Sequence, residues 1–502
     1  MASTIAVNTA DGRDVRVPLV VWSVVAGLAI ILLAVRTMHA LFTPEPTQAL
    51  TSGAEYESLY AIWKFVHGLT LYSDQNRIPF AGTYYNWLYY ALYGTTINVL
   101  AAVFGLGDSW IPTITKLVTL AGALTGFAGS YVLSLRVLGD RSRRARALAL
   151  AVWSFVFFGP LMGFWAIATA PDVWALAMDA LAVMVFLSLY DRRPRLAIVL
   201  FAALAYGAWA FKQTFIYSAG AAVLFLAFRR DWRGAVLLIV FMGASFAASL
   251  IAGGAAYAKM VFFGGSQIQL SPDRMLRNMA NFAVKCAPLI AAVGLLPLLL
   301  RPIGGVAVRR PAILFAALGI AVSAPLTVIS SAKLGGSENY YFVISFHLGF
   351  LLLATVVNGG WQQAPAWWRR LSIASWALTG TALLAVLLGF TGELSVRRIH
   401  DSLVATARCV GTQPGPVFIE SASLALPWMV PSDPAFVLHW NYPLDRAAGV
   451  AMEGGGVGGL IERGYFATVV LGTGQTGFDG GNVARHYQPA ATCPDFVIYR
   501  RR

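Results

Sequence analysis

Asp191-Arg192-Arg193-Pro194-Arg195 opens a stretch that runs through the apolar residues 196–211 and closes on Lys212-Gln213-Thr214. The middle of it makes about 24 Å of helix at 1.5 Å per residue, close to the ~30 Å hydrocarbon core of a bilayer. Its ends differ. Arginines crowd one, and a lone lysine stands at the other. A helix with that asymmetry reads as a membrane span with its arginine end on the cytoplasmic side.

The same pattern extends in both directions. Spans are expected at about 18–36, 113–135, 147–169, 173–190, 196–211, 214–228, 235–257, 282–300, 312–330, 340–357 and 372–391. Arg13 and Arg16 precede the first. Arg136, Arg141, Arg143, Arg144 and Arg146 separate the second and third, and Arg192, Arg193 and Arg195 the fourth and fifth. Arg229, Arg230 and Arg233, then Arg301, Arg309 and Arg310, then Arg369 and Arg370 mark later connections. The clusters fall in alternate loops. The expected fold is therefore an α-helical polytopic membrane protein with about 11 transmembrane helices and its N-terminus in the cytoplasm. The loop 37–112 and the tail 392–502 then share the outer side. No small-residue cleavage site follows the first span closely, so it reads as a retained anchor.

Composition agrees. Of 502 residues, 58% are hydrophobic and 12% charged, about half the ~25% charged fraction of soluble proteins. Mean hydropathy is +0.66. Disordered, fibrous and cytosolic classes are excluded. The net charge of +14 would raise nucleic acid as a partner in a soluble chain; here much of the arginine sets orientation and argues against it.

In the outer loop, Tyr56, Leu59, Tyr60, Trp63 and Val66 recur at helical spacing. A second aromatic run, Thr83 to Gly94, continues to about residue 105. Both segments read as interfacial or re-entrant helices. Glu55 reads as half of a capping box with Ser52, and Glu57 as a solvated charge near Lys64. The functional reading of either is a carboxylate at the membrane surface that takes a proton from a substrate hydroxyl. Pro171-Asp172 reads as a helix start, and Asp179, seven residues on, as an interhelical hydrogen bond or part of a polar path. Lys212, Arg277 and Lys333 are cations on the side where the charge rule disfavours them. They read singly as solvated charges and jointly as a phosphate cradle. Gly335-Gly336 allows close approach to a ligand and precedes Glu338, Asn339 and Tyr340.

The tail reads as a small α/β domain: a helix over 392–408 and strands over 416–420, 465–471 and 496–499. The domain division is 1–391 for the membrane module and 392–502 for the tail. An oxidising outer compartment permits a bond between Cys409 and Cys493; two separate thiols are the alternative. The glycine run 454–459 has no lysine after it and does not read as a phosphate loop. Walker, zinc and Rossmann patterns are absent from the sequence.

The order of these features resembles the GT-C superfamily of membrane glycosyltransferases, in the bacterial branch related to protein mannosyltransferases and aminoarabinose transferases. The resemblance is carried by Gly53-Ala54-Glu55-Tyr56-Glu57-Ser58-Leu59-Tyr60-Ala61, Gly68-Leu69-Thr70-Leu71-Tyr72, Pro79, Pro171-Asp172, Lys212-Gln213-Thr214 and Gly335 to Tyr340. Where the family often has an adjacent acidic pair, this chain has Glu55 and Glu57 split by Tyr56. The resemblance implies a polyprenyl-phosphate-linked sugar donor at the outer leaflet of the bacterial cytoplasmic membrane. It implies an inverting displacement and an acceptor that is a glycan, lipid or protein. It gives the base role to Glu55, then Glu57, and phosphate binding to Lys212, Lys333 and Arg277. Asp172, Glu338, Asn339 and Tyr340 would orient sugar or acceptor. Relatives differ in their use of a divalent metal, so that cofactor stays open. The rival classes are a transporter, which the lack of an internal repeat disfavours, and an assembly protein with a binding tail.

Overall fold

A computed structural model describes residues 12–42, 54–263, 269–291, 310–333, 336–360, 364–389, 403 and 405–502. Helix α1 spans Gly12–Phe42, α2 Ala54–Val66, α3 Trp87–Phe104, α4 Ile111–Leu138, α5 Arg143–Phe158, α6 Asp172–Leu189 and α7 Pro194–Phe211. Then come α8 Tyr217–Phe228, α9 Trp232–Ala258, α10 Pro272–Lys285, α11 Ala287–Ile290, α12 Pro311–Ser331, α13 Phe342–Thr355 and α14 Ala366–Gly389. Among the described residues, nine helices are long and apolar enough to cross a membrane. The chain is a multi-pass membrane protein.

Eight of those nine coincide with expected spans. The expected span 147–169 is instead the 16-residue α5, stopped by Gly159, and 214–228 is the 12-residue α8. The expected span 282–300 meets the end of α10 and all of α11; residues 292–300 lie outside the described residues, as do Arg301, Arg309, Gly335 and the Ser52 cap.

The ninth helix is α3, expected as an interfacial or re-entrant segment. It has the length to cross, and both its ends are tied by hydrogen bonds. Asn86, just before it, donates to the Trp209 carbonyl near the end of α7 at 2.5 Å. Asp108, just after it, accepts from the Trp63 indole at 2.8 Å and hydrogen-bonds His67 at 2.9 Å, both next to or on α2. At its other end α2 presses Glu55 against the backbone amide of Thr169, between α5 and α6. So the two ends of α3 are fastened to the end of α7 and to α2. Arginines gather at the opposite end: Arg229 pairs with Asp191, Arg195 with Asp231, and Arg310 reaches the Asn358 carbonyl.

Small residues let the helices close up. Gly122, Gly126 and Gly129 form one stripe of α4. A Cβ at Gly126 would stand 2.3 Å from the Phe157 ring, and one at Gly122 would meet Trp174. Deeper in, Ser218 of α8 donates to Asp179 of α6 at 2.6 Å and meets Nε2 of His347 on α13 at 3.0 Å. Asp179 is thus an interhelical tie. Burying its carboxylate is tolerated because a hydroxyl is aimed at it.

The tail builds a four-stranded sheet in the order β1 (Val417–Ile419), β2 (Thr468–Gly472), β6 (Phe496–Arg501), β5 (Tyr487–Cys493); β3 (Gly477–Phe478) and β4 (Gly481–Asn482) make a small hairpin. The pair β1–β2 is parallel and the others antiparallel. Three strands were expected, and β5 is the addition. Its Pro489 and exposed middle hide it from a strand pattern. Both are tolerated because it is an edge strand with a register shift at Pro489/Ala491. Of the helix expected over 392–408, residues 390–402 and 404 lie outside the described residues; 405–410 are helical. Cys409 and Cys493 are bonded. The glycine run 454–459 is filled from within. Asp479 accepts from the Gly458 amide, the Tyr442 hydroxyl and the Arg446 guanidinium. Helices α15 (Tyr442–Ala447) and α16 (Gly456–Glu462) flank it.

The tail is not a separate bead. Phe80, from the first loop, is buried among Phe418, Phe436, Tyr442 and Phe466. The His439 amide donates to the Phe80 carbonyl, Gln75 donates to Asp445, and the Ile78 amide donates to Glu453.

Candidate functional site

Two carboxylates at the start of α2 are the natural beginning. Residues two apart on a helix point about 200° apart, so Glu55 and Glu57 face different neighbours. Both are buried, at 3% and 5% exposure, so Glu57 is not a solvated charge. Glu55 turns to the bundle and accepts the Thr169 amide at 3.0 Å. Glu57 turns to the tail, where one oxygen accepts the Trp440 amide at 3.0 Å. Its other oxygen is buried with no hydrogen-bond partner. Burial pushes the Glu57 carboxyl up to about 7, against the opposing pull of the Trp440 amide and Lys64. Lys64, also buried, donates to the Leu71 carbonyl at 2.9 Å and to Thr83 at 3.2 Å. Burial lowers it to about 8.

Across from Glu55 stands a second group. Asp172 opens α6 fully buried, but it does not cap that helix. Its Oδ1 accepts from Lys212 at 2.5 Å and from Asn339 at 2.9 Å. Its Oδ2 is buried without a partner. Lys212 follows α7 directly. It neither snorkels nor stands in solvent; it lies 5.8 Å from the Tyr85 ring centre and 5.5 Å from that of Tyr340. Asp172, Lys212, Asn339 and Tyr340, which the sequence reading singled out one by one, thus lie together.

The remaining candidates lie apart from this group. Glu338 forms an ion pair with Lys285 of α10. Lys333 pairs its backbone with Leu270 in an isolated bridge, and its side chain is half-buried. Arg277 is exposed on α10. That helix is fastened to the 331–336 turn by Asn278, which donates to the Ser331 and Gly336 carbonyls. The three-cation cradle is thus one buried lysine with two cations further out. Among the described residues, no three His, Cys, Asp or Glu side chains converge as a metal site.

Tyr85 is the residue that sequence reasoning missed. Its phenol is held neutral, well above its ordinary value, by burial and then by the fields of Asp172, Glu57, Tyr340 and Glu55. It feels both Asp172 and the Glu55/Glu57 pair. Tyr84 beside it hydrogen-bonds Nδ1 of His439 at 2.9 Å. Burial lowers that imidazole to about 3, so it is neutral. Within the aromatic run nothing marks Tyr85 above its neighbours, and nothing near the loop announces His439 or Trp440.

Gly82 seals the junction. A Cβ there would stand 2.4 Å from the unpartnered Glu57 oxygen and 2.8 Å from Cβ of His439. Gly82→Ala is expected to destabilise the protein by about 1–3 kcal/mol, the usual cost of overpacking. Thermal unfolding in detergent measures it; an unchanged midpoint would show that the loop and tail are not in contact here.

No family model matches the chain, and no curated protein matches it. Among solved structures it is similar to the Archaeoglobus fulgidus oligosaccharyltransferase. The apo form is 12% identical over 72% of this chain and 56% of that one, with a TM-score of 0.44. The complex with Zn and sulfate is 13% identical over 85% and 46%, with a TM-score of 0.33. The chain spans about half the length of the structures it matches. At these TM-scores the likeness carries no conclusion about activity.

Proposed function

We propose that this protein is an inverting glycosyltransferase of the GT-C type. It moves a sugar from a polyprenyl-phosphate-linked donor to an acceptor hydroxyl at the outer face of a bacterial cytoplasmic membrane. The observation that carries the reading is a buried cation, Lys212, paired with Asp172, which Asn339 also contacts, in a membrane bundle that holds two further buried carboxylates. A lipid phosphate needs such a cation, and an acceptor hydroxyl needs such a base.

The step balances simply. The base takes the acceptor proton as the acceptor oxygen bonds to the anomeric carbon. The bond from that carbon to the phosphate oxygen breaks, and its electron pair leaves with the lipid phosphate. Lys212 stabilises the growing negative charge. Asp172 positions Lys212, and Asn339 steadies Asp172 by donating to its Oδ1. The Tyr340 and Tyr85 rings flank Lys212, and Lys333, Arg277 and the Glu338–Lys285 pair stand further out. What favours Glu57 over Glu55 as base is its unpartnered oxygen and a carboxyl near 7, matched to neutral pH. Glu55, bound to the Thr169 amide, faces the donor side.

The test is sugar release from polyprenyl-phosphate mannose, glucose or arabinose by the protein in proteoliposomes. Wild type should turn over one of them, Glu57→Gln should lose about 10²–10⁴-fold, and Glu55→Gln should lose less. Full activity in both single variants and the double would end the base assignment. Flux of a labelled solute without sugar release would replace the enzyme with a transporter.

A further inference from the structure

Arg36 is a buried cation that the proposed reaction does not use. It stands six residues before the end of α1, towards the opposite end from Arg13 and Arg16. An arginine so close to the end of a span ordinarily snorkels, its stem along apolar surface and its head in water. Arg36 is instead 8% exposed, and its guanidinium carbon lies 5.1 Å from the Phe164 ring centre. An aromatic face attracts the charge but accepts none of the in-plane N–H bonds. Among the described residues, Nε and Nη1 of Arg36 are buried and meet no acceptor, and the buried hydroxyl of Thr37 next to it has no partner either.

Helix α4 brings a second cation to this place. Lys116 is 3% exposed and lines a narrow crevice between α1 and α4 with Thr37, Ala40, Leu117 and Ile167. Ile167 and Phe164 belong to one short turn after α5. Glu55 is the carboxylate whose field reaches Lys116, so the excess positive charge is that of Arg36. A buried charge without a counter-ion is costly, which makes the group a receptor for an anion. Next to it the helices turn apolar side chains outward. Leu117 and Leu124, two turns apart on one face of α4, are 44% and 46% exposed, and Ile30 and Ile31 of α1 are exposed as well.

We propose that Arg36 and Thr37, with Lys116 adding charge, bind the phosphate of an anionic phospholipid whose acyl chains lie along Leu117 and Leu124. The proposal does not depend on the glycosyltransferase reading. The group is made by α1, α4 and the turn at 163–167, whereas Lys212 and its partners come from α6, α7 and residues 339–340. A phosphodiester offers acceptor oxygens to the guanidinium and the hydroxyl at once. A free phosphate ion offers the same oxygens but gains nothing from the apolar flank. Basic pockets between spans are suited to anionic head groups.

The full-length protein, stripped of lipid in maltoside detergent, is titrated with phosphatidylglycerol, inorganic phosphate and undecaprenyl phosphate. Native mass spectrometry reads binding and thermal unfolding reads stability. Phosphatidylglycerol should appear as a one-lipid adduct and raise the wild-type midpoint saturably. Arg36→Met should weaken that binding at least about 10-fold, and Arg36→Lys, which keeps the charge without the planar fork, should weaken it less. Without lipid, Arg36→Met should unfold no lower than wild type, because it removes a buried charge that lacks a partner. With lipid the order should reverse, a crossing that a folding defect does not produce. Equal phosphatidylglycerol binding by wild type and Arg36→Met overturns the proposal. So does an Arg36→Met protein already less stable without lipid, which would show the guanidinium neutralised from within the chain. An Arg36-dependent shift given as well by inorganic phosphate overturns the lipid as its source, and one given by undecaprenyl phosphate alone assigns Arg36 to a polyprenyl lipid instead.

Discussion

Lys212→Met is expected to unfold far below wild type, and adding Asp172→Asn to it should recover most of the loss. The reason is the burial of both partners. Asp172 is fully enclosed, its Oδ1 bound to Lys212 at 2.5 Å and to Asn339 at 2.9 Å, its Oδ2 already without a partner. Taking away the ammonium leaves a carboxylate with one amide for company in a low-dielectric setting. Breaking a buried pair from one side costs about 3–5 kcal/mol, mostly as the penalty of the stranded charge. Asparagine at 172 removes that charge and can still pair with Asn339. The double variant should therefore melt within about 1–2 kcal/mol of wild type, since replacing both members of a buried pair is often close to neutral. Sugar transfer should be absent from both variants, because each lacks the cation proposed to bind the donor phosphate. That contrast separates the structural from the chemical role. Recovery of transfer in the double variant would remove Lys212 from phosphate binding. A Lys212→Met protein as stable as wild type would mean that Asp172 is not a buried anion.

The same pair shows how far the sequence could be read. Lys212 stood out because it closes an apolar run at the end opposite the arginines, a violation of a strong pattern. Pro171-Asp172 stood out as a charge at a helix start, and Asn339 through its neighbours. Those signals are local, and the residues they mark lie in contact. The helices followed from apolar length, and the disulfide and the interhelical bond of Asp179 were each one of two open readings. What sequence could not supply was anything set by distant partners. Glu57 looked like a solvated helix charge because the residue that buries it, Trp440, is 383 positions away. The first-loop residue Phe80 gives no sign that it belongs to the core of the tail. The strand β5 was invisible because edge strands tolerate proline and exposed residues. Helix α3 is the instructive middle case. It reads as interfacial from its aromatic, polar start, yet it has the length and apolarity to cross, and its ends are tied through Asn86 and Asp108 to residues far away in sequence.

Glu57 makes the second large prediction, in which rate and stability move in opposite directions with pH. A base works only when ionised. With its carboxyl near 7, the transfer rate of wild type should climb about tenfold per pH unit below 7 and level off by about 8. Glu57→Gln should keep only a small residual rate without that limb. Stability runs the other way. Burial raises the folded carboxyl from 4.5 to about 7, so the folded state holds the proton more tightly than the unfolded chain. The stability this gives is fully present below about 4.5 and is lost as pH rises through 7. The span amounts to about 3 kcal/mol at 1.36 kcal/mol per pKa unit. Lys64 does not disturb that window: its amine falls from 10.5 to about 8, so its own slope lies between those values. The stability difference between wild type and Glu57→Gln, followed from pH 4.5 to 8 by denaturant or thermal unfolding in one detergent, isolates the Glu57 contribution. Relative to the glutamine variant, wild type should lose stability steadily to about pH 7 and then hold constant, while its activity turns on across the upper part of that range. A flat difference would put the carboxylate in water. A difference of the opposite sign would mean that Glu57 is held as an anion by a partner, and a base of that kind would already be ionised at pH 5 and would show no activity limb near 7.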